Sequence, residues 1–286
     1  MRRLLLAAIF AFAVPASALA LPPVWVVRDA DSTLVLFGSV HLLPRNTQWK
    51  PPALDDALAH ADDVWFEAPM GAEGLADAVK AAQDHAYLPE GQTLSSLLGA
   101  KGKARLALAA RQLGWTQGQL DRLQPWYAEL VVQAGVYQAL GIEGASGVEQ
   151  SLWGALSPKA ERHAFETPAE QIGFFAGAPL KDQAASLEET LREAGDAKRE
   201  YAILMNAWLA GDLKTLDKEA VQPLRKTSPT LYRVVVVQRN TRWIQTLEQR
   251  LKGSGTTVVI VGMGHLVGPD GLPARLRALG YKVEGP

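Results

Sequence analysis

The sequence predicts an α/β protein in which strands from both ends of the chain form one mixed sheet, joined by a large and mostly helical middle. Short apolar runs rich in β-branched residues lie near the two ends, at residues 24–37 and 256–284. Between them, leucines recur at three- and four-residue steps, which is the period of an α-helix. The simplest closed arrangement brings the terminal strands into one sheet and packs the helices against it.

The first part of the chain predicts two strands, one short helix and a third strand. Each strand is a brief apolar run, and the first two flank a polar turn at residues 29–32. Pro51 and Pro52 suit the beginning of the helix, because the first helical turn tolerates proline. The predicted bounds are strands at residues 24–28, 33–37 and 64–66 and a helix at residues 53–61.

The middle of the chain predicts a series of helices. Leucines keep the helical spacing over residues 71–140, and Pro125-Trp126 suits the beginning of a helix that reaches Leu140. The elements that follow are a glycine-rich break at residues 141–147, a helix with Leu152 and Trp153, a strand at residues 162–166, and long helices at residues 187–209 and 229–251.

The second long helix contains four consecutive valines, residues 234–237, which favour a strand by propensity alone. We predict a helix there because the flanking leucine pattern is longer than this run. Gly211 and Gly253 lie near the ends of the two long helices and can adopt the left-handed conformation that ends many helices.

The C-terminal part predicts a strand, a helix and a second strand, which together form a βαβ unit. Their bounds are residues 256–261, 272–279 and 281–284, and Gly280 ends the helix. With the length of the chain, this order predicts one domain over residues 21–286 that carries a helical insertion at about residues 71–208.

Residues 1–20 have the pattern of a signal peptide. Arg2 and Arg3 precede an apolar core at residues 4–14, and Ala18-Leu19-Ala20 is a small-x-small cleavage site. The alternative is an uncleaved membrane anchor, but the apolar core is shorter than the ~20 residues that a membrane helix needs. We therefore expect a periplasmic or secreted protein without a stable membrane span after cleavage.

The composition of the mature chain excludes several classes of protein. Without Arg2 and Arg3, 27 basic residues face 30 acidic ones, a net charge of −3, and no concentrated basic face predicts nucleic-acid binding. The chain has no cysteine, so it has neither disulfides nor a thiol nucleophile nor a thiolate metal site. Imidazole and carboxylate groups must supply any metal ligands, and there are five histidines.

Three predicted strands end at a reactive side chain. FGSVHLLP (residues 37–44) lies at the end of the second strand and contains His41. VGMGHLVG (residues 261–268) lies at the end of the strand at residues 256–261 and contains His265. Glu67 directly follows the strand at residues 64–66. Ligands of open α/β sheets collect at the carboxyl ends of the strands. Two imidazoles and a carboxylate would converge there if the three strands are parallel neighbours.

This set of residues suits a divalent metal ion that keeps positions open for water and substrate. Gly38, Gly262 and Gly264 would let the backbone turn sharply and approach a ligand closely. A single histidine at a strand end is often only hydrogen-bonded to a loop, and Gly-x-x-His is a short pattern. Its repetition in the same context, each time followed by leucine, favours a functional pair.

The other candidate residues are less informative. His60, His85 and His163 lie in polar surroundings, for which we expect solvated or capping roles. Arg239 and Asn240 lie within the predicted helix at residues 229–251, where an exposed pair is one interpretation. In the other, Arg239 reaches the site to stabilise an oxyanion and Asn240 positions it.

Taken together, several segments resemble the TraB/GumN family, which includes the Tiki proteins. The resemblance covers residues 24–283, and its order and spacing are more specific than any one motif. The segments are FGSVHLLP, VWFEAP, LPEGQTLSSLL, the pair Pro125-Trp126, GVEQSLW, FETPAEQI, VVQRNTRW and VGMGHLVGPDGLPARLRALGYKV.

The resemblance implies an α/β fold related to the erythromycin-esterase and ChaN-like proteins. It implies that His41, His265 and Glu67 form the active centre, with Arg239 and Asn240 close by. Animal Tiki members are metal-dependent proteases, so the resemblance implies a divalent ion (manganese, cobalt or zinc) and a peptide or protein substrate.

Other matching positions extend the resemblance or depart from it. Trp243 is expected to pack beneath Arg239, whereas Glu149 and Glu166 lie in matching segments without an assignable role. Ser39 stands where the family has threonine and keeps the hydroxyl group. Ala68-Pro69 follows Glu67 where the family commonly has an acidic or apolar continuation, and this difference could alter the loop around the site.

Three hypotheses for the function follow. The leading one is an exported metal-dependent hydrolase with protease-like activity. The second is a metal-free hydrolase of the esterase type, in which one histidine is the general base and Glu67 tunes it. The third is a non-catalytic protein that binds haem or another ligand through the same histidines, or that assists envelope or polysaccharide assembly; the absence of cysteine excludes the typical haem-attachment motif.

Overall fold

The computed structural model describes residues 21–44, 46–142 and 147–286, so the predicted signal peptide lies outside the described residues. Six strands of this part of the chain form one mixed sheet in the order β4-β3-β5-β2-β1-β6. The strands are β1 (Val24–Arg28), β2 (Ser32–Ser39), β3 (Asp63–Phe66), β4 (Glu161–Ala164), β5 (Gly255–Gly262) and β6 (Val283–Glu284). The predicted α/β class, with a sheet built from both ends of the chain, is confirmed.

Helices fill the middle of the chain, as predicted. They are α1 (Pro52–Ala59), α2 (Ala72–Asp84), α3 (Leu94–Leu97), α4 (Ala100–Leu113), α5 (Gln117–Asp121), α6 (Pro125–Ala139), α7 (Val148–Ala155), α8 (Pro168–Ala176), α9 (Leu180–Glu193), α10 (Ala197–Ala210), α11 (Leu213–Leu216), α12 (Gln222–Thr227), α13 (Pro229–Tyr232), α14 (Arg239–Leu251) and α15 (Leu272–Ala278). None of these helices is both long enough and apolar enough to cross a bilayer.

The strands that were expected to carry the site are parallel neighbours. β5 pairs in parallel with β2 on one side and with β3 on the other, and β4 continues the parallel series beyond β3. Ser39 at the end of β2 pairs with Gly262, and Phe66 at the end of β3 pairs with Ile260. The carboxyl ends of the four strands therefore lie at one edge of the sheet.

The central strands of the sheet are apolar on both faces. β2 and β5 are buried along most of their lengths, as expected for central parallel strands covered by helices on both sides. Trp25, Phe37 and Trp208 are among the fully buried side chains of this core. A second apolar cluster, with Leu94, Leu106 and other residues of the helical middle, forms apart from the sheet.

Two long helices differ in detail from the prediction. The helix predicted over residues 187–209 is interrupted by a 3₁₀ turn, Ala194–Asp196, that separates α9 from α10. The valine run predicted to be helical lies in a π-helical segment, Arg233–Gln238, between α13 and α14. Gly211 has a φ of 68°, the predicted left-handed conformation, whereas Gly253 does not adopt a positive φ because α14 ends at Leu251 with Lys252 as a right-handed cap.

Candidate functional site

The three predicted site residues follow the ends of adjacent parallel strands. His41 lies two residues after β2, Glu67 directly follows β3, and His265 ends a 3₁₀ turn, Met263–His265, directly after β5. Glu166 lies at the same edge after β4, because its backbone N–H donates to the Glu67 carbonyl at 3.0 Å. The edge of the sheet thus presents two imidazoles and two carboxylates.

The glycines of the two motifs lie where the chain leaves β2 and β5. None of Gly38, Gly262 and Gly264 has a positive φ, and Gly264 lies within the 3₁₀ turn that follows β5. A Cβ at Gly38 would lie 3.1 Å from the Met263 Cα. A Cβ at Gly262 would lie 3.0 Å from Glu67 Oε1, which accepts the Gly262 N–H at 2.7 Å. Gly264 would meet only Val221 at an ordinary contact distance.

His41 is held by a buried glutamate. Its Nδ1 lies 2.8 Å from Oε1 of Glu149, and the same oxygen accepts the Ser39 hydroxyl at 2.6 Å. Helix α7 brings Glu149 here because the Val148 N–H, at its first residue, donates to the carbonyl of Val40. The Glu149 carboxylate raises the pKa of His41 to about 9, although the His41 side chain is 74% exposed.

Replacing Glu149 with glutamine is expected to lower the pKa of His41 from about 9 towards the ordinary imidazole value of ~6.5. The raised pKa means that the pair contributes stability that is fully present below about pH 6.5 and is lost as the pH rises through about 9. NMR titration of the His41 ring in chelator-treated protein measures the midpoint. The same midpoint in both proteins would show that Glu149 does not set it.

Arg239 occupies the centre of the site. Its side chain is buried, and its Nη2 lies 2.6 Å from Glu67 Oε2 while its Nε donates to both oxygens of Glu166, at 3.0 and 2.9 Å. Its Nη1 lies 3.0 Å from His265 Nε2. Burial is the largest single influence on the pKa of Glu67 and raises it, but Arg239, His265, His41 and the Gly262 N–H together lower it by more. The net pKa therefore lies well below its usual range.

His265 is a neutral, oriented imidazole. Burial is the main reason that its pKa is lowered to about 3, and the Arg239 charge lowers it further. Its Nδ1 lies 2.7 Å from Asn240 Oδ1, and the Asn240 amide donates to the carbonyls of His265 and Asp270. Since Nδ1–H donates to Asn240, Nε2 is unprotonated and accepts from Arg239.

The structure corrects part of the interpretation of the Arg-Asn pair. Both residues are buried, so the alternative of an exposed pair is wrong. Asn240 positions His265 and not Arg239, whose orientation comes from Glu166. Trp243 does lie under Arg239, with its ring centre 4.8 Å from the guanidinium carbon, as the resemblance implied. Its indole N–H also donates to Glu166 at 3.0 Å.

Sequence reasoning named Glu149 and Glu166 without assigning their roles. The structure shows that Glu149 contacts His41, whereas Glu166 contacts Arg239 and also Arg242. Gln171 was not singled out, yet its amide donates to Glu67 Oε2 at 3.0 Å. The only signal in the sequence was that Glu149 and Glu166 lie in segments that match the family, GVEQSLW and FETPAEQI.

The expected ligand set is partly assembled. Glu67 Oε1 and His265 Nε2 approach to 3.7 Å, whereas within residues 21–44, 46–142 and 147–286 no three histidine or acidic side chains are grouped closely enough to hold an ion as they stand. The third expected ligand, His41, is near enough for its charge to lower the pKa values of both Glu67 and His265. The remaining histidines lie elsewhere; His60 caps α1, and His163 stacks on Trp65.

Comparisons with known proteins place the chain in a family. It is 26% identical to the uncharacterized protein YbaP of Escherichia coli (strain K12) over 260 residues, which are 90% of this chain and 92% of that protein. The uncharacterized protein YbaP of Shigella flexneri is 26% identical over 246 residues, 85% of this chain and 87% of that protein. No solved structure matches the chain. A family model described as the TraB/PrgY/gumN family matches residues 23–285, and the chain therefore belongs to this family.

Proposed function

We propose that this protein is an exported metal-dependent hydrolase of peptide or protein substrates, with His41, Glu67 and His265 as the ligands of one divalent ion. The observation that carries the proposal is the matched anchoring of the two imidazoles. Each Nδ1 lies within 2.8 Å of a buried side-chain oxygen, of Glu149 for His41 and of Asn240 for His265. Metal-binding histidines are characteristically fixed in this way, because the anchored ring turns its other nitrogen to the metal.

The donor chemistry fits the ion that the family implies. Two imidazole Nε2 atoms and one carboxylate suit manganese, cobalt or zinc. Two carboxylates, of Glu67 and Glu166, contact the buried Arg239 guanidinium, and a third, of Glu149, lies against His41. When bound, such an ion supplies Lewis acidity, which polarises a carbonyl oxygen and acidifies water.

The residues of the chain have separate tasks in this proposal. Glu149 and Asn240 orient the two histidines, and Gly262 and Gln171 hold the Glu67 carboxylate by hydrogen bonds to its two oxygens. Arg239 is fixed by Glu166 and stabilises the negative charge that develops on a carbonyl oxygen during hydrolysis.

The test is hydrolysis of a panel of unstructured peptides by purified protein, first treated with a chelator and then supplied with manganese, cobalt or zinc. We expect turnover to be lost on chelation and restored by at least one ion. A His60→Ala variant is the matched control, because His60 is exposed and lies at the end of α1. If chelated protein works as well as reloaded protein, the metal is not required.

A metal-free hydrolase of the esterase type is the second candidate. The contact of Arg239 Nη1 with His265 Nε2 favours it, since that lone pair is already engaged and the ion would have to compete for it. In this case the His41–Glu149 pair supplies an oriented acid–base group. Glu67, which was expected to tune the base, binds Arg239 instead. Ester turnover that resists chelation but is lost in His41→Ala would favour this candidate.

A further inference from the structure

A cavity of about 360 Å³ lies beside the candidate site. Its floor is formed by the two Gly-x-x-His turns, which contribute His41, Gly262 and Gly264 among others. Its walls come from helices α6 and α10, with Tyr137 and Tyr201 in edge-to-face contact at 5.7 Å between ring centres. A molecule bound at His41 would therefore have this cavity directly next to it.

The lining of the cavity is mainly apolar, with Gln133, Tyr137 and His41 as polar side chains beside the apolar ones. The residues that line it include no aspartate, glutamate, lysine or arginine. Two of the hydroxyl groups in its lining are engaged, since Tyr201 donates to the Leu42 carbonyl at 3.1 Å and Ser39 donates to Glu149. Leu204 and Met205 of α10 add flexible apolar surface. A basic group placed there would lose its hydration without gaining an acidic partner.

The size of the cavity limits its occupant. Pockets for small ligands span roughly 300 to 1,000 Å³, so this cavity is near the lower end of that range. It has room for a large side chain or a short acyl group. His41, Gly262 and Gly264 form the side of the cavity nearest the candidate site. A substrate side chain bound in the cavity would therefore have its adjacent bond at His41.

We propose that this cavity is the specificity pocket of the enzyme and takes an uncharged apolar side chain, of the size of leucine, methionine or phenylalanine, next to the bond that is cleaved. The proposal rests on the proposed hydrolase function and adds its substrate class. Discrimination in such pockets comes from the apolar contact that each added methylene group makes, about tenfold or more per group. Basic side chains at the same position are excluded by their charge, because no acidic residue lines the cavity.

Direct binding tests the pocket independently of turnover. The probes are N-acetyl amino-acid amides of leucine, phenylalanine, alanine, aspartate and lysine, measured by ligand-observed NMR with the purified protein. We expect the leucine and phenylalanine amides to bind at least about tenfold more tightly than the alanine amide, and the lysine amide to give no signal. Equal binding of all five amides would overturn the proposal.

Two tryptophan variants locate the binding. Ala220 is exposed at the mouth of the cavity, so Ala220→Trp narrows the mouth with little risk to folding. Ala210→Trp is the matched control, because Ala210 is exposed at the end of α10 and does not line the cavity. We expect leucine amide to bind at least about tenfold more weakly to Ala220→Trp and normally to Ala210→Trp. Equal affinity for the two variants would place the binding elsewhere.

The outcomes separate this inference from the proposed function. Side-chain-selective binding without any peptide hydrolysis would retain the pocket and overturn the hydrolase. Hydrolysis at the same rate whichever residue flanks the bond would retain the hydrolase and overturn the pocket. A Leu204→Lys variant adds a further check, since a lysine in the half-buried wall is expected to shift the preference from the leucine amide to the aspartate amide.

Discussion

A His41→Ala/His265→Ala double variant is expected to hydrolyse peptides at least about a thousandfold more slowly than the wild-type protein. In the proposed function the two imidazoles supply two of the three metal ligands, and no neighbouring cysteine can replace them because the chain has none. The loss should appear mainly in kcat, since the apolar residues that we assign to substrate binding, such as Leu204 and Met205, stay in place. Initial rates with the best peptide of the panel measure it.

The control for this variant is His60→Ala, which removes an exposed imidazole and should leave the rate within about twofold of wild type. Circular dichroism of the double variant shows whether the fold is retained. A folded double variant with a rate close to that of wild type would contradict the assignment of both histidines.

Replacing Arg239 with methionine is expected to lower the free energy of unfolding by about 3 to 5 kcal/mol, the largest effect on stability that we predict for this site. Methionine keeps much of the side-chain volume but leaves the carboxylates of Glu67 and Glu166 without the guanidinium between them. Both carboxylates are largely buried, with side-chain exposures of 13% and 2%. Urea denaturation followed by circular dichroism measures the change.

Arg242→Met is the matched control, since Arg242 also contacts Glu166, at 3.1 Å, but its side chain is 51% exposed. An exposed ion pair contributes little, so we expect a loss of less than about 1 kcal/mol. An equal decrease in the free energy of unfolding in the two variants would mean that burial does not make the Arg239 contacts more stabilising than the Arg242 contact.

The Arg239 contacts also predict how stability responds to acid. Because the folded-state pKa of Glu67 is lowered, its contribution to stability is present above the ordinary glutamate pKa of ~4.3 and is lost as the pH falls. Arg239→Met removes the cation that lowers this pKa. The difference in unfolding free energy between wild type and variant should therefore shrink below about pH 4.

The main features of the sheet could be predicted from local patterns. The runs around Val35, Trp65 and Val259 are short and apolar, and a histidine or glutamate follows each of them closely. The sequence therefore predicted three strands followed by site residues, and the structure has strands at these positions. Their parallel adjacency was a condition of the predicted site, because ligands collect where the carboxyl ends of such strands meet. The structure confirms that the three strands are neighbours.

The partners of the site residues could not be predicted in the same way. Glu149 contacts His41, and Glu166 contacts Arg239 across 73 positions of the chain, so no local period connects the members of a pair. A carboxylate at the start of α7 or after β4 has the same local sequence whether it faces solvent or a buried cation. Only the three-dimensional fold shows which applies.

The helical segments show the limit of propensity. Four valines favoured a strand locally, yet the chain stays helical through them as a π-helical segment that leads directly into Arg239 and Asn240. π-Helical turns are frequently found at functional sites, since they shift the side chains that follow them around the helix. The sequence did not reveal this change of helix type, because residue spacing was compatible with an ordinary α-helix.

The metal content of the protein tests the central claim most directly. Purified protein is stripped with a chelator, incubated with manganese, cobalt or zinc, freed of excess ion and subjected to elemental analysis. We predict about one equivalent of ion per wild-type chain and per His60→Ala chain, and almost none in the folded His41→Ala/His265→Ala variant. Equal metal content in wild type and the double variant would contradict the proposal that His41, Glu67 and His265 form a metal centre.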